Sequence, residues 1–407
     1  LMKLVGGAAI ALLAAAALFF VLRENNPSRA LQPPDAAGTP APASPAPGPG
    51  TPKPVRDWTF AYVMSYDNDL EPAGPVILDA IEKGVKGTKI AVAVLADDQK
   101  PTGLKRIVLD ASGRRTETLD TDDSASEAVL ADFLAWVARE YPSRHFALVF
   151  LNHGGRLDEM CRDNRTGTPK LSGWMSARKV GETLRAFKPR LAGSFDLLYL
   201  QQCGRSSVEN LFSFRGTAKA VLASEMEVGS PNTYYEPLLQ WLDKEKDATG
   251  AAAGKKILET DAHYVHLACM NGEMLSELPA RLKPILEALQ GTDASPPKPP
   301  AGLAPAFACG PESFYDLLRW MDAALRENRR PPDALAAFQK WMFERLVLVW
   351  TDRSAGGARP SGRYYSLSVC VPVDPSVRGL YADHPFNRES GLGALWEAMY
   401  PKGKTGP

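Results

Sequence analysis

Between residues 57 and 224, short apolar runs alternate with amphipathic stretches. The runs Trp58 to Met64 and Lys89 to Leu95 read as the first two strands, with a weaker strand from Leu104 to Leu109. The runs His145 to Leu151, Phe195 to Leu200 and Ala218 to Ala223 follow. A strand with one wet face would alternate apolar and polar residues. Runs with almost no polar interruption therefore mark strands covered on both faces. Ser124 to Tyr141 reads as a helix with Ser124 as N-cap and Glu127 three residues on. Ser176 to Phe187 reads as another. This order predicts a mostly parallel sheet with helices on both sides. Beyond residue 235 the pattern is largely helical, until Arg363 to Val371 offers a late strand.

Two segments break the pattern. Residues 27 to 54 hold ten prolines among Ala, Gly, Ser and Thr, a composition that reads as an extended tether. Ser295 to Pro300, followed by Pro305, marks an insertion or seam. Ahead of the tether, Leu4 to Leu22 carry no charge, and nineteen helical residues span roughly 28 Å, close to a hydrocarbon core. The run is longer than a usual signal core and reads as a retained anchor or a cleaved signal, so the bulk of the chain is expected to be exported, either membrane-anchored or periplasmic/extracellular. The expected division is 1–26 signal or anchor, 27–56 linker, 57–290 catalytic domain, 291–305 insertion and 306–407 C-terminal region, whose late strand completes the catalytic unit.

Composition narrows the function. The 407 residues include 47 basic and 47 acidic side chains, so there is no basic surplus for a nucleic-acid partner. The five cysteines, Cys161, Cys203, Cys269, Cys309 and Cys370, contain no CxxC pair, and their odd number leaves at least one thiol unpaired. They are scattered buried thiols, or one of them is reactive.

In an open α/β sheet, ligands bind outside the carboxyl ends of the strands. Two successive buried strands here end in reactive residues: Leu151-Asn-His153-Gly154-Gly155 and Leu200-Gln-Gln-Cys203-Gly204. On neighbouring strands, His153 and Cys203 emerge side by side. An imidazole there can take the thiol proton and later give it to a leaving amine. Gly154 allows close backbone approach, and the N–H groups of Gly154 and Cys203 are candidates for an oxyanion hole.

These motifs resemble the clostripain-like cysteine peptidases, of the clan that also holds caspases, legumains and gingipains. Tyr62 to Glu71 is similar to the family's opening strand and its Asp-Asn-x-Leu-Glu turn, and Leu151 to Gly155 to its histidine motif. Asp196 to Cys203, with Ser207-Val-Glu209 after it, resembles the cysteine motif, while Val221 to Glu225 and Tyr365 to Pro372 resemble later strands. The resemblance covers residues 57 to 395. It implies a caspase-like αβα sandwich with a helical C-terminal extension and a peptide or protein substrate. It also implies an endopeptidase with Cys203 as nucleophile and His153 as general acid/base. The family typically prefers Arg or Lys before the scissile bond. No cofactor is required, although some members need calcium or self-cleavage, so calcium stays open.

One departure bears on specificity. The family usually has Asp two residues before the nucleophile, and this chain has Gln201. A neutral amide forms no ion pair with a basic side chain, which removes about 1.5–3 kcal/mol of contact. Basic preference then depends on Glu225 or Glu227. This departure motivates the rival reading of a catalytically silent module that binds peptides or a partner protein; a third reading, which the sequence does not separate from hydrolysis, is a transpeptidase that passes the acyl-enzyme to an amine.

Other features carry weaker expectations. His263, His266 and Cys269 fall at i, i+3 and i+6 on an expected helix, where ordinary packing outweighs zinc because a fourth ligand is missing, and no metal site is expected. Asp67, Asn68 and Asp69 offer hard oxygens to calcium or form a structural turn. Cys161 to Arg165 reads as a solvated loop with basic residues open to self-cleavage, His145 as structural, and Asn164-Arg-Thr166 as a glycosylation acceptor pattern.

Overall fold

The computed structural model describes residues 53–98, 103–164, 173–264, 266–291, 296–352 and 366–401. In chain order the strands are β1 (Arg56–Ser65), β2 (Ala91–Asp97), β3 (Lys105–Asp110), β4 (Gly113–Thr118), β5 (Ser143–Leu151), β6 (Glu159–Asp163) and β7 (Gly173–Ser176). They continue with β8 (Ser194–Gln201), β9 (Ala220–Ala223), β10 (His266–Asn271), β11 (Phe307–Cys309), β12 (Glu312–Asp316), β13 (Val347–Asp352) and β14 (Ser368–Val371). Nine form one sheet in the order β13-β10-β9-β8-β5-β1-β2-β3-β4. The five in the middle, β9-β8-β5-β1-β2, are mutually parallel, with antiparallel strands added at both flanks.

The uninterrupted apolar runs are explained by two cores, one on each face. Along β1, Ala61 and Val63 enter one core while Phe60, Tyr62 and Met64 enter the other; along β5, Phe146, Leu148 and Phe150 oppose Ala147, Val149 and Leu151. The first core is closed by helices Glu127–Glu140, Ala177–Phe187, Leu278–Gln290 and Leu317–Glu327, the second by Ala73–Val85, Tyr235–Lys244 and Gly250–Thr260. Period-2 side chains thus feed both helical layers of an αβα sandwich.

Several expectations are corrected. His266–Asn271 is not helical: β10 lies between β9 and β13, antiparallel to both. The residue capping Glu127–Glu140 is Ser126, whose hydroxyl accepts from Val129 N, rather than Ser124. Cys161 to Asp163 is no solvated loop but part of β6, with Cys161 and Asp163 buried. The helix Ala73–Val85 has no counterpart in the sequence reading; Pro75 sits in its first turn, where its missing N–H leaves no intrahelical bond unmade.

The late strand β14 pairs with β12 in a separate three-stranded sheet that includes β11. It touches the segment after Cys203 through Ser368 N–H donating to Ser206 O at 3.1 Å. The second proline cluster is pinned where it is described: Lys298 and Asn328 exchange two hydrogen bonds, at 2.7 and 2.8 Å. The anchor, nearly all of the tether, Ser295, Arg165, Thr166 and the start of the late strand lie outside the described residues. Among the described residues no helix is long and apolar enough to cross a membrane.

Candidate active site

β5 and β8 are adjacent and parallel, in a register that sets Leu151 opposite Gln201. His153 and Cys203 each follow two residues later, so both leave the sheet at its carboxyl edge on neighbouring chains. The two backbones also touch. A Cβ on Gly154 would stand 2.0 Å from the Cys203 carbonyl oxygen, which explains the glycine by close approach rather than by φ. Gln202 Nε2 donates to His153 O at 3.0 Å and ties the loops again.

The histidine loop is held from the β1 side. Asn152 donates to Ser65 O and, at 2.9 Å, to Arg162 O, and its own Oδ1 accepts from His153 N–H. Asn68 is buried and donates to Ser65 O at 3.0 Å and to Asn152 Oδ1 at 3.4 Å. Next to it, Asp69 Oδ1 accepts from the His153 ring Nε2 at 2.8 Å. That bond holds the Asp69 carboxyl below its usual range. The Asp-Asn turn is therefore structural at Asn68 and reaches the imidazole at Asp69.

The Cys203 thiol is partly exposed and accepts from Val228 N–H at 3.4 Å. Burial pushes its pKa up. The Val228 N–H opposes that shift, and the Glu227 carboxylate reinforces it. A thiol in this state needs a nearby base before it can act as a nucleophile. Of the three residues expected to shape the pocket, only Glu227 is exposed. Glu225 is fully buried, 3.7 Å from His266 Nε2, and accepts from Ser366 N–H. Gln201 is also buried: it donates to Asn232 Oδ1 and, at 3.1 Å, to Tyr235 Oη, and accepts from Tyr234 Oη at 2.8 Å.

Arg205, which the sequence reading passed over, is buried beneath both loops. Its guanidinium donates to Cys203 O at 3.1 Å, Arg156 O at 3.1 Å, Glu159 O at 2.7 Å, and Gly155 O. Five rigid N–H donors suit such a carbonyl cage. An Arg two residues after the nucleophile was the available signal. His145, expected to be structural, bonds Asp196 Oδ2 at 3.0 Å and stacks on Trp58. All five cysteines are free thiols. Among the described residues one group could hold a metal ion, Asp67 with Asp97 and Asp163, and it includes none of His263, His266 or Cys269.

The sequence profile of the clostripain family, Peptidase C11, matches residues 77–286, just over half of the chain. Solved structures share the fold. An inactive zymogen C11 protease from Parabacteroides distasonis is 21% identical, covering 83% of this chain and 99% of its own, with TM-score 0.60. A secreted C11 cysteine protease from Bacteroides thetaiotaomicron, in complex with an irreversible peptide inhibitor, is 17% identical over 83% and 99%, with TM-score 0.59. A further structure of a secreted C11 cysteine protease from that organism is 13% identical over 83% and 100%, with TM-score 0.62. No curated protein matches the chain.

Proposed function

Because the chain belongs to the clostripain family of cysteine peptidases, we propose that it is an exported endopeptidase working through Cys203 and His153. His153 accepts the thiol proton, and the thiolate attacks the peptide carbonyl to form a C–S bond. The N–H groups of Gly154 and Cys203 hold the oxyanion. His153 returns the proton to the leaving amine as the C–N bond breaks, then activates the water that hydrolyses the thioester. Asp69 orients the imidazole through Nε2. The observation that carries this reading is the β5–β8 register, which brings the two motif residues to one edge of the sheet.

The preference before the scissile bond lies away from Arg and Lys. Gln201 supplies no charge and its amide is already bonded to Asn232, Tyr234 and Tyr235, while Glu225 is sealed in the core. Glu227 is the remaining carboxylate beside the thiol. Export is supported by the uncharged run Leu4 to Leu22 with its proline-rich tether, and by the relatives described as secreted.

A peptide library varied at the residue before the cleaved bond tests the proposal, with wild type beside Cys203→Ala. Cleavage by wild type alone, with uncharged residues favoured, is expected. Cleavage restricted to Arg or Lys and lost in Glu227→Gln would overturn the specificity reading. Equal cleavage by both proteins, or none by either when folded, would overturn the dyad.

A further inference from the structure

We propose that a basic pocket beside the helix Ala177–Phe187 binds a phosphate dianion, either free or as a monoester. The pocket holds about 300 Å³, at the low end for small-molecule sites. Its walls are that helix, the end of the helix Val208–Ser213 with Arg215 just beyond it, and Pro385, which opens the helix Pro385–Ser390. The pocket shares no residue with the Cys203–His153 site, so binding does not rest on the dyad proposed above.

Charge decides the class of ligand. Arg178, Lys179, Arg185 and Arg215 line the pocket against a single acid, Glu182. Arg178 is neutralised by Asp158, at 3.0 Å. Glu182 offsets one of the three remaining cations, which leaves a surplus of two positive charges around the cavity. A phosphate monoester carries about −1.5 to −2 at neutral pH and matches that surplus, whereas a single carboxylate does not.

The two arginines add geometry to charge. Arg185 Nη1 donates to Ser213 O at 2.8 Å and to Arg215 O at 3.2 Å. Arg215 Nη1 donates to Phe212 O at 2.8 Å, and its guanidinium carbon lies 3.9 Å from the centre of the Phe212 ring. Each guanidinium is thus fixed through one nitrogen, and among the described residues no carboxylate pairs with either. Burial, and then the Arg215 charge, hold the Arg185 pKa below its usual range, against the pull of Glu182. Two half-buried like charges held together repel one another unless an anion sits between them. The N–H groups left over on each fork suit phosphate oxygens. The wall is also preformed. A Cβ on Gly181 would stand 2.0 Å from Ser213 O, so the helix packs backbone to backbone against the segment that leads to Arg215.

The test uses the full chain carrying Cys203→Ala, which excludes self-digestion. Inorganic phosphate titrated into it calorimetrically at constant ionic strength should bind at one equivalent. Acetate, a monoanion, should bind at least about tenfold more weakly. A hundredfold excess of phosphate over its dissociation constant should raise the unfolding midpoint by about 3–4 °C. Arg215→Gln should weaken phosphate at least about tenfold. Lys179→Gln, at an exposed position, should weaken it several-fold in a folded protein. Glu182→Gln should tighten it about two- to fivefold, a gain that damage to the fold does not produce. Glycerol 3-phosphate and dihexanoyl phosphatidic acid separate the sources of the group: equal affinities assign a soluble ester, tighter binding of the second a lipid headgroup, and both support the site. No heat with phosphate, an equal response to acetate, or an affinity unchanged in both Lys179→Gln and Glu182→Gln would overturn the proposal.

Discussion

Replacing Gly154 by alanine tests whether the contact between the histidine and cysteine loops sets the catalytic geometry. The new Cβ would lie 2.0 Å from the Cys203 carbonyl oxygen, 3.1 Å from its carbonyl carbon and 3.0 Å from Arg205 Nε. Real side-chain carbons essentially never come within 3.0 Å of such an atom, so the two backbones must part by about 1 Å. Neither partner gives easily. One is backbone, fixed by the β5–β8 pairing, and the other is a guanidinium held by four carbonyls. An overpacked site of this kind loses about 1–3 kcal/mol of stability. A displacement near 1 Å between nucleophile and base costs about 100-fold in rate, or about 2.7 kcal/mol of barrier. The assay is kcat/KM on a fluorogenic peptide, run well below the variant's unfolding midpoint. Gly379→Ala is the control, since its added Cβ meets nothing within 4 Å, and it should keep activity within twofold. Full kcat/KM in folded Gly154→Ala would refute the idea that this approach positions the dyad.

Two further outcomes follow from buried groups. Arg205→Met takes the guanidinium from four carbonyls, of which Arg156 O and Glu159 O keep a backbone N–H donor, and should cost about 2–4 kcal/mol in urea unfolding, with Arg205→Lys recovering only part because one ammonium cannot fork; a loss below about 1 kcal/mol would contradict the clamp. Glu209 is fully buried, and burial pushes its carboxyl up to about 8 from 4.5. The folded chain therefore keeps a proton that the unfolded chain sheds, and stability falls as pH rises from about 4.5 to 8, by up to about 1.4 kcal/mol per unit. Glu209→Gln removes that slope, so its stability relative to wild type should improve by at least about 1 kcal/mol between pH 5 and 7; a difference independent of pH would show that Glu209 is ionised in the fold.

The parallel core was legible because strands covered on both faces must be apolar throughout, and β1, β2, β5, β8 and β9 all announce themselves that way. β10 did not. Its residues His266 and Cys269 also fit a helical spacing, and only the pairing with β9 and β13 settles the conformation. The proximity of His153 and Cys203 was readable because strand ends share an edge. The surroundings were not. Glu225 follows β9 at that same edge, yet it faces His266 inside the core, a direction no local pattern encodes. Asp97 and Asp163 meet Asp67 only through tertiary structure, although Asp97 closes a strand at the ligand-binding edge. Ser124 resembled a helix cap because Glu127 lies three residues on; the cap is Ser126, and Ser124 turns toward the aspartates instead.

The most direct test of the central claim is labelling by an irreversible thiol-directed peptide, read by intact mass and peptide mapping on wild type, Cys203→Ala and His153→Ala. The account predicts one adduct on wild type, mapped to Cys203, no adduct on Cys203→Ala, and labelling slowed at least 100-fold in folded His153→Ala. An adduct on another of the free cysteines, or equal labelling rates with and without His153, would contradict it.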